Sequence, residues 1–132
     1  MNEQRAIQFL NDVRRPLLNL HKAILDHERA VYEREFGPVT PAAFLQMLIN
    51  GSGFRWITPL SSVIANVDET LDDKKAGVDE RLASVEAVTR LFTASGTENP
   101  FMERYQALLQ ESPAILHGHS QVAQILRDIE TT

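Results

Sequence analysis

The chain has 132 residues, a net charge of −5, 43% hydrophobic and 23% charged residues, and no cysteine. This length and composition predict one globular domain over residues 1–132 rather than a disordered chain. The lack of cysteine excludes disulfides, zinc–thiolate sites, iron–sulfur clusters and a thiol nucleophile. The whole acidic excess lies in residues 41–132 without a basic stripe, which disfavours nucleic acid and anionic membranes as partners.

We expect no secretory signal, because the first residues lead into an amphipathic stretch rather than an apolar core. No apolar run approaches the length of a membrane span. Together with the lack of cysteine, these features predict a cytoplasmic protein.

Helix starts are marked at four places by a capping residue followed directly by proline. The pairs are Thr40-Pro41, Thr58-Pro59, Asn99-Pro100 and Ser112-Pro113. Proline at the first helical position loses no hydrogen bond, and the residue before it can accept one from a free N–H. No stretch alternates long enough to indicate a strand. The pattern predicts an all-α protein.

The first element covers residues 3–36 and ends before Gly37 and Pro38. Its apolar residues recur at three- and four-residue spacing over a wide arc, which indicates contacts on more than one side. Pro16 lies inside this pattern and either kinks the helix or divides it in two.

A short helix is predicted over residues 41–49, ended by Asn50 and Gly51 in the manner of a left-handed cap. The next apolar pattern runs over residues 59–93, either as one helix or as two. A break is favoured because Gly77 and the charges beside it weaken a helix.

A loop is predicted over residues 93–98, followed by helices over residues 100–110 and 113–129. We therefore expect a bundle of about five to six helices, two of them long. The connections are short, so the helices should be mostly antiparallel.

The four histidines show no metal-binding spacing, because neither Glu-x-x-His nor His-Glu-x-x-His occurs. We therefore predict no metal and no cofactor. His21 and Glu28 are seven residues apart and share a helix face. Two interpretations stay open: either they form a site together with His117, or all three are polar residues at the edge of the core that hydrogen-bond to their neighbours. No Gly-x-Ser-x-Gly elbow is present. No catalytic residue is predicted. A non-enzyme is favoured, and an enzyme with a pocket near Trp56 stays the alternative.

An aromatic turn carries Phe54 and Trp56 next to flexible glycines. Packing into the core is the commoner fate of such side chains. The alternative is that they line a groove for a ligand or a partner helix. Arg29 and Tyr32 would belong to such a site only if they met Arg104 or Tyr105 from another helix.

Three stretches carry a resemblance: residues 20–33 (LHKAILDHERAVYE) with residues 37–39, residues 54–61 (FRWITPLS), and residues 101–110 (FMERYQALLQ) with Pro113 and His117. Together they resemble a group of small helical bacterial proteins without an assigned function. The resemblance leaves residues 1–13 and 72–98 unmatched and implies a bacterial, cytoplasmic origin, but no activity, cofactor or partner.

The expected function is a protein–protein interaction or self-association module, most simply a two-fold homodimer. The reason is that the apolar arcs of the first helix and of residues 60–92 exceed what a compact monomer needs. The alternative is a small-ligand or metal-binding protein with a pocket near Trp56. The candidate ligand-binding residues are His21, Glu28, Arg29, Tyr32, Phe54, Trp56, Tyr105 and His117.

Overall fold

The computed structural model describes residues 1–93 and 100–130, which fold into six α-helices and one 3-10 helix, without a strand. The α-helices are α1 (Glu3–Phe36), α2 (Pro41–Asn50), α3 (Thr58–Asp72), α4 (Val78–Thr93), α5 (Pro100–Glu111) and α6 (Pro113–Glu130). The 3-10 helix, Ser52–Ile57, joins α2 to α3. The all-α bundle predicted from the sequence is confirmed. None of the helices in the described residues has the length and apolar character needed to cross a membrane.

Helix α1 is one continuous helix with Pro16 inside it, so the proline does not divide it. The Asn2 side chain accepts a hydrogen bond from the Arg5 N–H at 2.8 Å and begins the helix. Gly37 ends it with a φ of 91°, a conformation that glycine adopts without strain, and its N–H donates to the Glu33 carbonyl. The longest element of the fold is therefore fixed at both ends.

Two of the predicted capping residues make the expected bond. Thr40 Oγ1 accepts from the Ala43 N–H at 3.1 Å, and Ser112 Oγ accepts from the Ile115 N–H at 3.3 Å. These bonds satisfy free donors in the first turns of α2 and α6.

The cap predicted at Thr58 is wrong. Thr58 is the first residue of α3, with helical dihedrals of φ −53° and ψ −41°, because the 3-10 helix runs directly into α3. A residue in that conformation makes no side-chain cap. The cap predicted at Asn99 lies outside the described residues.

The left-handed cap predicted after α2 is also wrong. Gly51 is extended, with φ −84° and ψ 136°, and its N–H donates to the Met47 carbonyl at 2.7 Å. A Cβ at this position would lie 2.5 Å from that oxygen. Glycine is favoured here because the carbonyl of the last turn of α2 leaves no room for a Cβ, and not because of a positive φ.

The long apolar pattern over residues 59–93 forms two helices, since α3 ends at Asp72 and α4 begins at Val78. The break predicted from Gly77 and the charges beside it is therefore confirmed. The loop predicted over residues 93–98 lies outside the described residues except for Thr93, which is the last residue of α4.

The core lies around α1, which packs against α3, α4 and α6. Its apolar positions Leu10, Leu17 and Leu20 are fully buried within the one chain. Helix α6 approaches α1 closely, since a Cβ on Gly118 would lie 3.3 Å from Leu20 Cδ1. The stripe of α1 that carries these leucines is therefore covered by helices of its own chain, whereas Leu18 beside it is 39% exposed.

Candidate functional site

An open groove with a volume of about 440 Å³ lies where α1, the 3-10 helix and α5 meet. Trp56 lines it, half-buried, with its ring stacked on Phe101 at a centroid distance of 6.1 Å. The other lining residues are Glu28, Gly53, Pro100, Glu103, Arg104 and Ala107. The volume falls within the range of small-molecule sites, and we call this feature the Trp56 groove.

An ion pair closes one wall of the Trp56 groove. The Arg104 guanidinium donates to Glu28 Oε1 at 3.0 Å and lies 3.8 Å from Glu111 Oε1. The Glu28 side chain is only 11% exposed. Glu111 also lies 3.3 Å from His27 Nε2. Removing the guanidinium would leave a nearly buried carboxylate without compensation, so the pair holds α5 against α1.

Tyr105 is placed in the core rather than in the groove. It is fully buried, its ring contacts Phe92 and Phe101, and its hydroxyl lies 2.6 Å from His119 Nδ1. Burial raises the pKa of Tyr105, while burial, with a smaller contribution from Arg127, lowers the pKa of His119. Both shifts favour neutral partners, in which the tyrosine donates and the imidazole accepts.

His119 is a residue that sequence reasoning missed. A signal for it was available, because Tyr105 stands seven residues before Ser112 and His119 seven residues after it. In two antiparallel helices joined by a short turn, residues equally distant from the turn lie at the same level of the pair. The Ser112-Pro113 helix start therefore indicates the level at which Tyr105 and His119 lie, but not that their side chains meet.

His21 lies between helices rather than in the groove. Its Nε2 is 2.9 Å from Ser61 Oγ, which links α1 to α3, and burial lowers its pKa. His117 is exposed on α6. Neither histidine lines the Trp56 groove. In the described residues, no group of three or more histidine or carboxylate side chains is placed to hold a metal ion.

The remaining candidates make contacts within and beside the segment that carries α2. Arg29 donates to the Val39 carbonyl at 2.8 Å. The Tyr32 ring packs on Phe36 with centroids 4.9 Å apart. Phe54 packs edge-on against Phe44, the buried residue of α2, at 5.6 Å. Of the eight candidate residues, Glu28 and Trp56 therefore meet at the groove, and the other six lie elsewhere.

A second feature is an uncovered apolar helix face. Leu45 and Ile49 lie one turn apart on α2 and are 53% and 66% exposed. We call these two residues the α2 face. Phe36, at the end of α1, is 67% exposed. Exposed large apolar side chains gathered in one short segment are typical of interaction surfaces.

The sequence signal for the α2 face is an absence of charge. Residues 36–54 contain no Asp, Glu, Lys, Arg or His, although 23% of the chain is charged. The spacing of apolar residues predicted the helix but could not indicate which of its sides would be covered.

Comparison with protein families, with curated proteins and with solved structures finds no significant similarity to this chain. The functional argument therefore starts from the Trp56 groove and the α2 face themselves.

Proposed function

We propose that this protein is a self-association module in which two copies dock through the α2 face. The observation that carries the proposal is the exposure of Leu45 and Ile49 on a helix that packs mainly on the 3-10 helix. Burying such side chains is favourable by roughly 1.5–3 kcal/mol each when they pass fully from water into a packed contact.

Charge favours a second copy as the occupant of this face. The chain carries a net charge of −5, so two copies repel each other on average. Residues 36–54 carry no charged side chain, and two such segments can meet without like-charge repulsion. A two-fold dimer places the same patch of both copies in contact, which an uncharged patch tolerates.

The size of α2 limits the strength of this association. A helix of 10 residues is roughly 15 Å long, so two of them supply only part of the roughly 1,200–2,000 Å² buried in a stable interface. We expect a reversible dimer whose population depends on concentration, formed by monomers with complete cores.

The test is sedimentation velocity over a concentration series with Ile49→Asp and a matched control. Ile49→Asp places a charge in the contact, and we expect the concentration-dependent dimer to be lost. The control is Leu116→Asp on α6, which places the same charge at an exposed apolar residue outside α2; Leu116 is 51% exposed and Ile49 66%.

Two results would contradict the proposal. One is a monomer at all concentrations in the unmodified protein. The other is a dimer that Leu116→Asp weakens as much as Ile49→Asp does, because the α2 face would then have no special part in the contact.

A second candidate function is the binding of a small ligand in the Trp56 groove. Its support is the meeting of Glu28 and Trp56, from two distant parts of the chain, at a groove of about 440 Å³.

The cytoplasmic, bacterial setting expected from the sequence stays a prediction. Fractionation of cells that express the chain in its native host would test the location.

A further inference from the structure

The Trp56 groove has an aromatic wall with carboxylates around it. Trp56 lines the groove, and its ring stacks on Phe101 at 6.1 Å. Trp56 is the only tryptophan of the chain. Indole is the side chain that binds a cation over its face most strongly.

The charges at the Trp56 groove favour a cation. Arg104 is the basic lining residue, but its guanidinium bonds to Glu28 at 3.0 Å and lies 3.8 Å from Glu111. Two carboxylates therefore neutralise it. Glu103 adds a further, exposed carboxylate to the lining. The local excess is negative, as is the net charge of the chain.

An anionic ligand fits this site poorly. An anion beside the Arg104 guanidinium would lie next to Glu28 and Glu111, which already pair with it, and would approach Glu103 as well. Like-charge repulsion from these carboxylates opposes its binding. A cation, by contrast, leaves the ion pair intact.

We propose that the Trp56 groove binds a small organic cation of the alkylammonium class. The alkyl groups contact Trp56 and Ala107, and the positive charge lies against the indole and near Glu103. The inference rests on the second candidate function, ligand binding in the Trp56 groove. It is independent of the association through the α2 face, because neither Leu45 nor Ile49 lines the groove.

The probe is choline, titrated against the fluorescence of Trp56 at constant ionic strength. Two compounds of similar shape separate charge from shape: the neutral isostere dimethylbutanol and the carboxylate dimethylbutyrate. We expect a saturable change with choline in the millimolar range and a weaker response or none with the other two. A reaction is not involved, so the readout is binding alone.

A pair of variants locates the charge that selects the cation. Glu103→Gln is expected to weaken choline binding roughly twofold to fivefold, the effect of one exposed ion pair. Glu86→Gln removes the same charge from α4, which does not line the groove, and should leave binding unchanged. Glu103 is exposed, so its replacement should not disturb folding.

Several results would overturn the proposal. They are equal binding of choline and dimethylbutanol, preferred binding of dimethylbutyrate, no saturable change with choline up to high millimolar concentration, or equal loss with Glu86→Gln and Glu103→Gln.

Discussion

The bundle around α1 and the segment around α2 use apolar side chains in opposite ways. In the bundle, Leu10, Leu17 and Leu20 are fully buried by α3, α4 and α6. On α2, Phe44 is buried, whereas Leu45 and Ile49 remain exposed. Phe44 does not belong to the cluster of buried side chains that forms the main core.

This difference shows that the features of the sequence that form a helix are separate from those that decide whether other helices bury its apolar face. Both regions begin their helices with capping side chains, Asn2 on α1 and Thr40 on α2. Local capping and apolar content fix each helix. Whether a helix face is covered depends on which other helices reach it, and α2 packs mainly on the 3-10 helix.

The largest expected effect is a difference in stability between two leucine-to-alanine variants, one in the bundle and one on α2. Leu20→Ala opens a cavity between α1 and α6 and should lower the free energy of unfolding by roughly 2–5 kcal/mol. Leu45→Ala removes the same atoms from an exposed position and should change it by less than about 0.5 kcal/mol. Urea denaturation measured at low protein concentration checks both, and equal losses would contradict the division into covered and uncovered faces.

A second prediction compares two Thr-Pro pairs. Thr40 Oγ1 accepts from the Ala43 N–H, so Thr40→Ala should lower the free energy of unfolding, or that of opening α2, by roughly 0.5–2 kcal/mol. Thr58→Ala is the control, because no side chain caps α3. Its effect should stay within a few tenths of a kcal/mol on the same scale. A larger loss at Thr58 than at Thr40 would reverse the assignment of the caps.

The smallest effect is a pH dependence confined to the bundle. Burial lowers the pKa of His21 and of His119 below the 6.5 of an unfolded chain. The unfolded state then takes up protons first, so stability is full above about pH 6.5 and falls as the pH drops below it. Residues 36–54 contain no titratable side chain of this kind.

Urea denaturation at about pH 7.5 and about pH 5.5 measures this loss. Replacing both His21 and His119 with Gln should flatten the pH dependence. His117→Gln, at an exposed histidine of α6, should leave it unchanged. A dependence that survives the double replacement would place the titrating groups elsewhere.

The sequence predicts the helices more completely than the site. The caps at Thr40 and Ser112 and the break near Gly77 follow from local rules, and all three are present. The cap at Thr58 failed because a 3-10 helix continues into α3. No local pattern marks such a junction.

The contact between Glu28 and Arg104 could not be predicted, because it joins residues 76 positions apart. It depends on how α5 is placed by its packing on α6 and the 3-10 helix, which is a property of the packed bundle. The position of the Trp56 ring could not be predicted from the sequence either. Core and groove were alternatives for its ring, and the half-buried indole both stacks on Phe101 and lines the groove.

The clamp at Val39 has a consequence for how the molecule opens. Its carbonyl accepts from the Arg29 side chain at 2.8 Å and its N–H donates to the Glu33 carboxylate at 3.1 Å, so two bonds between side chain and main chain hold the linker before α2 on α1. Elements with few buried contacts unfold locally without the rest of the protein. The amide hydrogens of α2 should therefore exchange with solvent through an opening in which the bundle stays intact, and dimer formation should slow that exchange.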